Sequence, residues 1–229
     1  IIALSLIISN SLYAGNFGIG GHSGYGAVKY EEHTSASGDK LKSDASLNTV
    51  IFGVSGEYTF ERQPNFFTGI TTDWAVGSTG YETHKRNARE FQTNDLRISG
   101  QFYDARIGYK NARESFYYRL HVSGGWDGIN LRRSNVEEDG KEKNGTFKKD
   151  FSLWRAGAGA GLGYKFGKWA VDGRAAYSYY PKATVKDNNF NGVKFKTGGT
   201  CLDLGLGIAR ELSESVNVYA GASYTLLRL

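Results

Sequence analysis

The side chains able to do chemistry in this chain are few and far apart. Its four histidines, His22, His33, His84 and His121, show none of the close spacings by which His and Cys grip a metal ion, so neither a metal nor a cofactor is expected. His121 and Ser123 lie two residues apart on one strand face, the relation a Ser–His hydrolase would use and one that chance also produces. The single cysteine, Cys201, has no partner for an internal disulfide and reads as a small inward-facing residue. The run Gly157-Ala158-Gly159-Ala160-Gly161 is no phosphate loop, because it sits inside a strand pattern where glycines give room to bulky neighbours.

These residues must be positioned by strands. Hydrophobic residues make up only 40% of the 229, yet aromatics reach 14% and 31 Gly stand against 2 Pro. Beyond the extreme N-terminus no apolar run approaches the ~20 residues of a membrane-spanning helix. Strand patterns appear at 17–30, 48–60, 66–78, 96–109, 116–130, 151–166, 169–180, 201–212 and 216–226. Within them, apolar and polar residues take turns with a period of two. Val50, Phe52, Val54, Tyr58 and Phe60 share one face against Thr49, Gly53, Ser55 and Glu57. Phe116, Tyr118, Leu120, Val122 and Trp126 alternate with Tyr117, Arg119, His121, Ser123 and Asp127. Segment 96–109 breaks step, since Leu96 and Ile98 share parity with Asp104 and Arg106; a bulge near Gly100 is the expected remedy.

The connections also alternate. Segments 31–47, 79–95, 131–150 and 181–200 are long and polar, whereas 61–65, 110–114, 167–168 and 213–215 are short. Long outer loops and tight inner turns mark a transmembrane β-barrel. The expected fold is therefore all-β: an antiparallel transmembrane barrel in the outer membrane of a Gram-negative bacterium, of ten strands with the last truncated, or of eight. Aromatics at strand ends (Phe60, Phe66, Phe116, Phe166, Trp169) supply a girdle. The inner face mixes Glu57, Asp73, Asp104, Asp127, Asp172, Asp203 and Glu211 with Arg106, Arg119, Arg155, Lys165 and Arg174. Such charges must pair, which predicts a filled lumen and disfavours a wide pore.

Residues 1–14 read as the end of an export signal, an apolar stretch closing on Ser11-Leu12-Tyr13-Ala14 before Gly15, with the barrel domain at 15–229. No methionine is present, and nine strands are an odd number for a closed bacterial barrel. Truncation at both ends is the expectation that follows.

The net charge of +5 is spread over the long polar segments: Lys85, Arg86 and Arg89 in one, Lys182, Lys186, Lys194 and Lys196 in another. The densest set includes Arg132, Arg133, Lys148 and Lys149, and these four are the candidate contacts to lipopolysaccharide phosphates, with an ordinary solvated loop face as the alternative. Expected partners are outer-membrane lipid, lipopolysaccharide and an extracellular protein; nucleic acid is not expected.

Several strings resemble the omptins, outer-membrane endoproteases. Thr71-Thr72-Asp73-Trp74 is similar to their Asp-x-Asp-Trp segment, and Tyr164-Lys165-Phe166 with Trp169-Ala170-Val171-Asp172-Gly173 and Tyr177-Ser178 is similar to their sixth and seventh strands. Asp187-Asn188-Asn189-Phe190 falls where omptins carry Asp-x-His-Tyr, and Leu204 to Ala220 fits their next two strands. The resemblance implies Asp73 and Asp187 as catalytic carboxylates. It also implies a broken site, because Asn189 stands in place of the histidine and Thr71 in place of one aspartate. A carboxamide cannot take up the proton that general-base work requires. His84, close after Asp73, is the candidate replacement, against the plainer reading of a solvated loop histidine. The function expected from the sequence is a non-enzymatic surface, structural or adhesive barrel; the alternatives are an omptin-type endoprotease and a small passive channel.

Overall fold

The computed structural model describes residues 2–14, 16–36, 39–143, 145–187, 193–213 and 216–229. One sheet contains all the strands: β1 (Ile2–Ala14), β2 (Phe17–Ala36), β3 (Asp39–Phe60), β4 (Gln63–Arg86), β5 (Arg89–Arg113), β6 (Phe116–Glu138), β7 (Lys141–Lys143), β8 (Phe147–Phe166), β9 (Trp169–Asp187), β10 (Val193–Ser213) and β11 (Val216–Arg228). Each pairs antiparallel with its neighbours, β1 with β11 and β5 with β6, so the sheet closes on itself. The short β7 only extends the upper edge beside β6, and the other ten form the wall. That is the barrel expected from the alternation.

Ile2–Ala14, expected to be the end of an export signal, has another place in the fold: it is the tenth wall strand, laddered to β2 on one side and β11 on the other. The physical reason is closure. β2 and β11 run in the same direction, so an antiparallel strand between them lets both backbones pair in one unbroken pattern. The tenth strand thus comes from the N-terminal segment.

The four polar segments expected as loops also fold differently. Where they are described, they are the upper ends of strands, which reach 20 to 25 residues in β2 to β6. One of the tips, Asn87-Ala88, turns with φ of 48° and 69°, the positive pair that matches strand twist in a tight hairpin. The segments looked like loops because the sense of the alternation inverts partway up the wall. On β5, Tyr103 and Ile107 point outward and Asp104 and Arg106 inward; higher up, Arg97 and Ser99 point outward and Leu96 and Ile98 inward. On β6, Leu120 and Val122 are outward while Ile129 and Leu131 are buried inside.

This inversion, not a bulge, accounts for the broken step on β5. Pairing runs without a shift through Gly100 on both sides, and the irregularity lies instead between Val76 and Thr79. The lower wall is oily outside and ionic inside; the upper wall is polar outside and apolar inside. A single change of surroundings, from lipid to water, explains both.

Aromatic residues mark the boundaries. Phe60, Phe66, Phe116, Phe166 and Trp169 ring the lower edge, exposed on the outer face. Near the inversion, Phe52 stacks on Trp74 with ring centroids 5.6 Å apart, Tyr103 approaches Trp126 at 5.7 Å, and Trp154 is 60% exposed. Between the two belts lie Val54, Ile70, Ile107, Leu120, Leu162 and Leu206, all exposed. From Trp154 to Phe166 the strand rises roughly 40 Å, or about 28 Å along the normal at a 45° tilt, close to the ~25 Å apolar band of such barrels.

Candidate functional site

The interior is layered, and each layer can be built from residues that the inward parity collects. Near the lower edge, Phe67 of β4 is fully buried, with the Arg119 guanidinium 4.6 Å and the Lys110 ammonium 5.7 Å from its ring centre. Both cations reach Glu57 of β3: Arg119 Nη2 donates to Oε2 at 2.5 Å and Lys110 Nζ to Oε1 at 3.0 Å. Above them Arg155 of β8 lies 3.4 Å from Asp104 and 3.3 Å from Asp127. Asp127 also accepts the Tyr180 hydroxyl at 2.6 Å. Thr225 donates to Asp203 at 2.6 Å, with the buried Cys201 thiol 3.6 Å from the same carboxylate. Part of the mixed charge expected on the inner face therefore pairs, through Glu57 with Arg119 and Asp104 and Asp127 with Arg155, while the buried Arg106 Nε has no hydrogen-bond partner among the described residues. Cys201 is the small inward residue expected.

The glycines of β8 give the room foreseen for them. A Cβ at Gly159 would meet the His121 ring at 2.5 Å, and one at Gly157 the Ser178 hydroxyl at 2.5 Å. His121 and Ser123 do share the inner face, but Ser123 hydrogen-bonds Asp104, and no Ser–His hydrogen bond joins them.

At the height of the inversion the lumen holds a pair that no local pattern announces. His22 of β2 faces Gly53 of β3, and Gly53 faces Asp73 of β4. Because the middle residue has no side chain, the outer two meet across it, His22 Nε2 lying 2.6 Å from Asp73 Oδ1. A Cβ at position 53 would approach the Thr72 carbonyl to 2.6 Å and His22 Nε2 to 2.7 Å. An imidazole held by a carboxylate is the minimal unit of general-base chemistry. We expect Gly53→Ala to separate the pair. Side-chain ¹⁵N spectra of His22 should then lose the signature of a carboxylate-bound ring, and unchanged spectra would contradict the geometry.

Asp187, the other carboxylate implied by the resemblance, does not join this pair. It is buried at the upper end of β9, opposite Lys149 of β8, while Asp73 is engaged on β4 with three wall strands between them on the shorter way round. Thr71 shares Asp73's inward parity, and Asn189 lies outside the described residues. His84 stands further up β4, roughly 35 Å from Asp73 at the rise of a strand; it contacts Asn94 at 2.8 Å and Glu82 at 3.5 Å. His22 could have been found only from long-range register, since its link to position 73 runs through a third strand.

Above the pair the described inward side chains are mostly apolar. Val28, Leu47, Leu96, Ile98, Ile129, Leu131, Phe151, Leu153, Val185 and Leu227 form one buried cluster, and Phe102 packs against it. A further ionic layer caps it. Glu82, with no exposed surface, accepts from Arg133 twice, Nε at 2.6 Å and Nη2 at 2.9 Å, and from Asn94 at 2.8 Å. Glu32 receives Lys149 at 2.5 Å and the Tyr30 hydroxyl at 2.5 Å. Burial pushes the Glu82 carboxyl upward, but Arg133, His84 and Asn94 outweigh it and hold it well below the usual range. For Glu32 burial is likewise overcome, by Lys149 first. Burial, then the nearby Glu32 charge, pushes the Tyr30 phenol up.

Strand parity thus divides the four cations proposed from sequence to meet lipopolysaccharide. Arg133 and Lys149 point inward and are taken by Glu82 and Glu32, which removes them from the outer surface. Arg132 and Lys148 point outward, exposed and directly opposite one another.

No family model matches the chain, and no curated protein matches it. Among solved structures, the chain is similar to the translocator domain of the autotransporter NalP from Neisseria meningitidis, at 13% identity over 100% of this chain and 87% of that one, with a TM-score of 0.40. It is similar to the outer membrane protease OmpT from Escherichia coli at 10% identity over 99% and 95%, TM-score 0.40. It is similar to the outer membrane protein OprG from Pseudomonas aeruginosa at 11% identity over 98% and 95%, TM-score 0.36. Likenesses this shallow assign neither a substrate nor an activity to the chain.

Proposed function

We propose that the chain is a closed, non-conducting and non-enzymatic barrel of the outer membrane of a Gram-negative cell, whose tall upper wall serves as a structural or adhesive surface. The observation that carries this reading is the stacking of the interior. Among the described residues an apolar layer lies between ionic layers, and an ion crossing it would have to exchange most of its water for hydrocarbon side chains. Arg132 and Lys148 are the proposed contacts to lipopolysaccharide phosphates, and the upper wall is the proposed meeting place for an extracellular partner.

In planar bilayers the expected result is the absence of any steady conductance; large, sustained current steps would overturn the reading. A second reading, an endoprotease of omptin type with Asp73 and Asp187, draws its support from the His22–Asp73 pair. Refolded protein supplied with lipopolysaccharide and a dibasic fluorogenic peptide separates the two. The first reading expects no turnover. Cleavage abolished by both Asp73→Ala and Asp187→Ala would establish the second.

A further inference from the structure

The outer face of the upper wall carries a row of cations that form no ion pair with a described residue. Arg97 of β5 stands directly opposite Arg132 of β6, and Arg132 directly opposite Lys148 of β8. All three are exposed, and none forms an ion pair with a described residue. Like charges set opposite across strands repel. Asp95 and Asp150, two residues along the strands from Arg97 and Lys148, turn to carboxamides: Asn135 donates to Asp95 at 2.6 Å, and Asn130 donates to Asp150. The row is left open to an anion from outside.

Its height decides which anion. On the same three strands Tyr103, Trp126 and Trp154 form a parallel aromatic row, paired in the same way. Lys148 lies ~20 Å up the strand from Trp154, about 15 Å along the normal for the usual tilt. The headgroup layer of a bilayer adds only about 5–8 Å beyond the hydrocarbon. The row therefore stands clear of headgroup phosphates, at the level of sugars attached to them. Two arginines directly opposite one another across the ladder favour phosphate, which guanidiniums grip in bidentate fashion. A sugar anchored in the same leaflet is also held at high local concentration beside the wall.

We propose that Arg97, Arg132 and Lys148 bind a phosphorylated oligosaccharide carried by outer-leaflet glycolipid, beyond the lipid headgroup. This deepens the reading given above and rests on the upper wall standing outside the cell.

The test uses the whole barrel in neutral detergent micelles and three soluble probes: a deacylated core oligosaccharide with its phosphates, the same sugar after phosphate removal, and the bisphosphorylated glucosamine disaccharide of the lipid headgroup. The phosphorylated core should bind. Affinity should fall about tenfold or more on dephosphorylation and again in the triple variant R97Q/R132Q/K148Q, while K182Q, nearer the aromatic row, keeps it. The triple variant should unfold no more easily than the parent, because the row repels itself. Equal binding by the triple variant, equal binding of the dephosphorylated sugar, or preference for the disaccharide would overturn the proposal, as would a marked loss of stability in the triple variant. Labelling of Lys148 on intact cells with a membrane-impermeant amine reagent tells the two failures apart. No labelling would sink the placement of the wall; labelling without binding would sink the oligosaccharide alone.

Discussion

Arg133→Met will destabilise the upper barrel by about 3–5 kcal/mol, the cost of leaving a buried charge without its partner. Glu82 has no exposed surface, and two of its hydrogen bonds come from the Arg133 guanidinium; with those gone, Asn94 and His84 are the polar groups left close by among the described residues. The double variant E82Q/R133M should recover a large part of the loss, since a neutral amide needs less solvation than a carboxylate. Unfolding in urea, followed by protease susceptibility of the upper strands, measures both. A loss below about 1 kcal/mol in the single variant, the level of an exposed pair, would contradict the burial.

The same pair fixes how stability responds to acid. The carboxyls of Glu82 and Glu32 are held below their ordinary values in the folded barrel. Their contribution is fully present above the unfolded carboxylate pKa of about 4.3 and disappears only as pH falls through the lower folded values. Mild acid should therefore leave the upper barrel intact and strong acid should loosen it. Arg133→Met should flatten that dependence.

The second large effect concerns two leucines on β6. Leu131 is fully buried inside the upper barrel, whereas Leu120 is 52% exposed on the lower outer face. Leu131→Ala removes transfer energy and leaves a cavity among Leu96, Leu153 and their neighbours, an expected loss of about 2–5 kcal/mol. Leu120→Ala loses the transfer part alone, about 2 kcal/mol or less, because acyl chains refill the space. Equal losses for the two variants would mean that the inversion of the wall is not present in the membrane.

Much of this architecture was legible in the chain. The period of two in 48–60 and 116–130 announced oily outer faces, and the pairing of Arg119 with Glu57 and of Arg155 with Asp104 follows from charges on the inner parity. What was hidden shares one cause. Alternation reports that two faces differ, not which solvent each one meets. Leu96 and Leu131 therefore looked out of place, and Arg133 and Lys149 looked as exposed as Arg132 and Lys148. The site was harder still to see, because His22, Gly53 and Asp73 become neighbours only once three strands are aligned. Ile2–Ala14 was ambiguous for another reason: a short apolar run suits an export signal as well as a wall strand.

The reversal of the wall also sets how deep the barrel sits. Sinking further into the bilayer would drag Lys182, then Lys148, Arg132 and Arg97, into hydrocarbon, at about 2–4 kcal/mol for each that reached the midplane. Rising would lift Val54, Ile107 and Leu162 into water. Each direction is opposed by a different force, so the molecule carries its own waterline, and its immersion is written into the strands themselves.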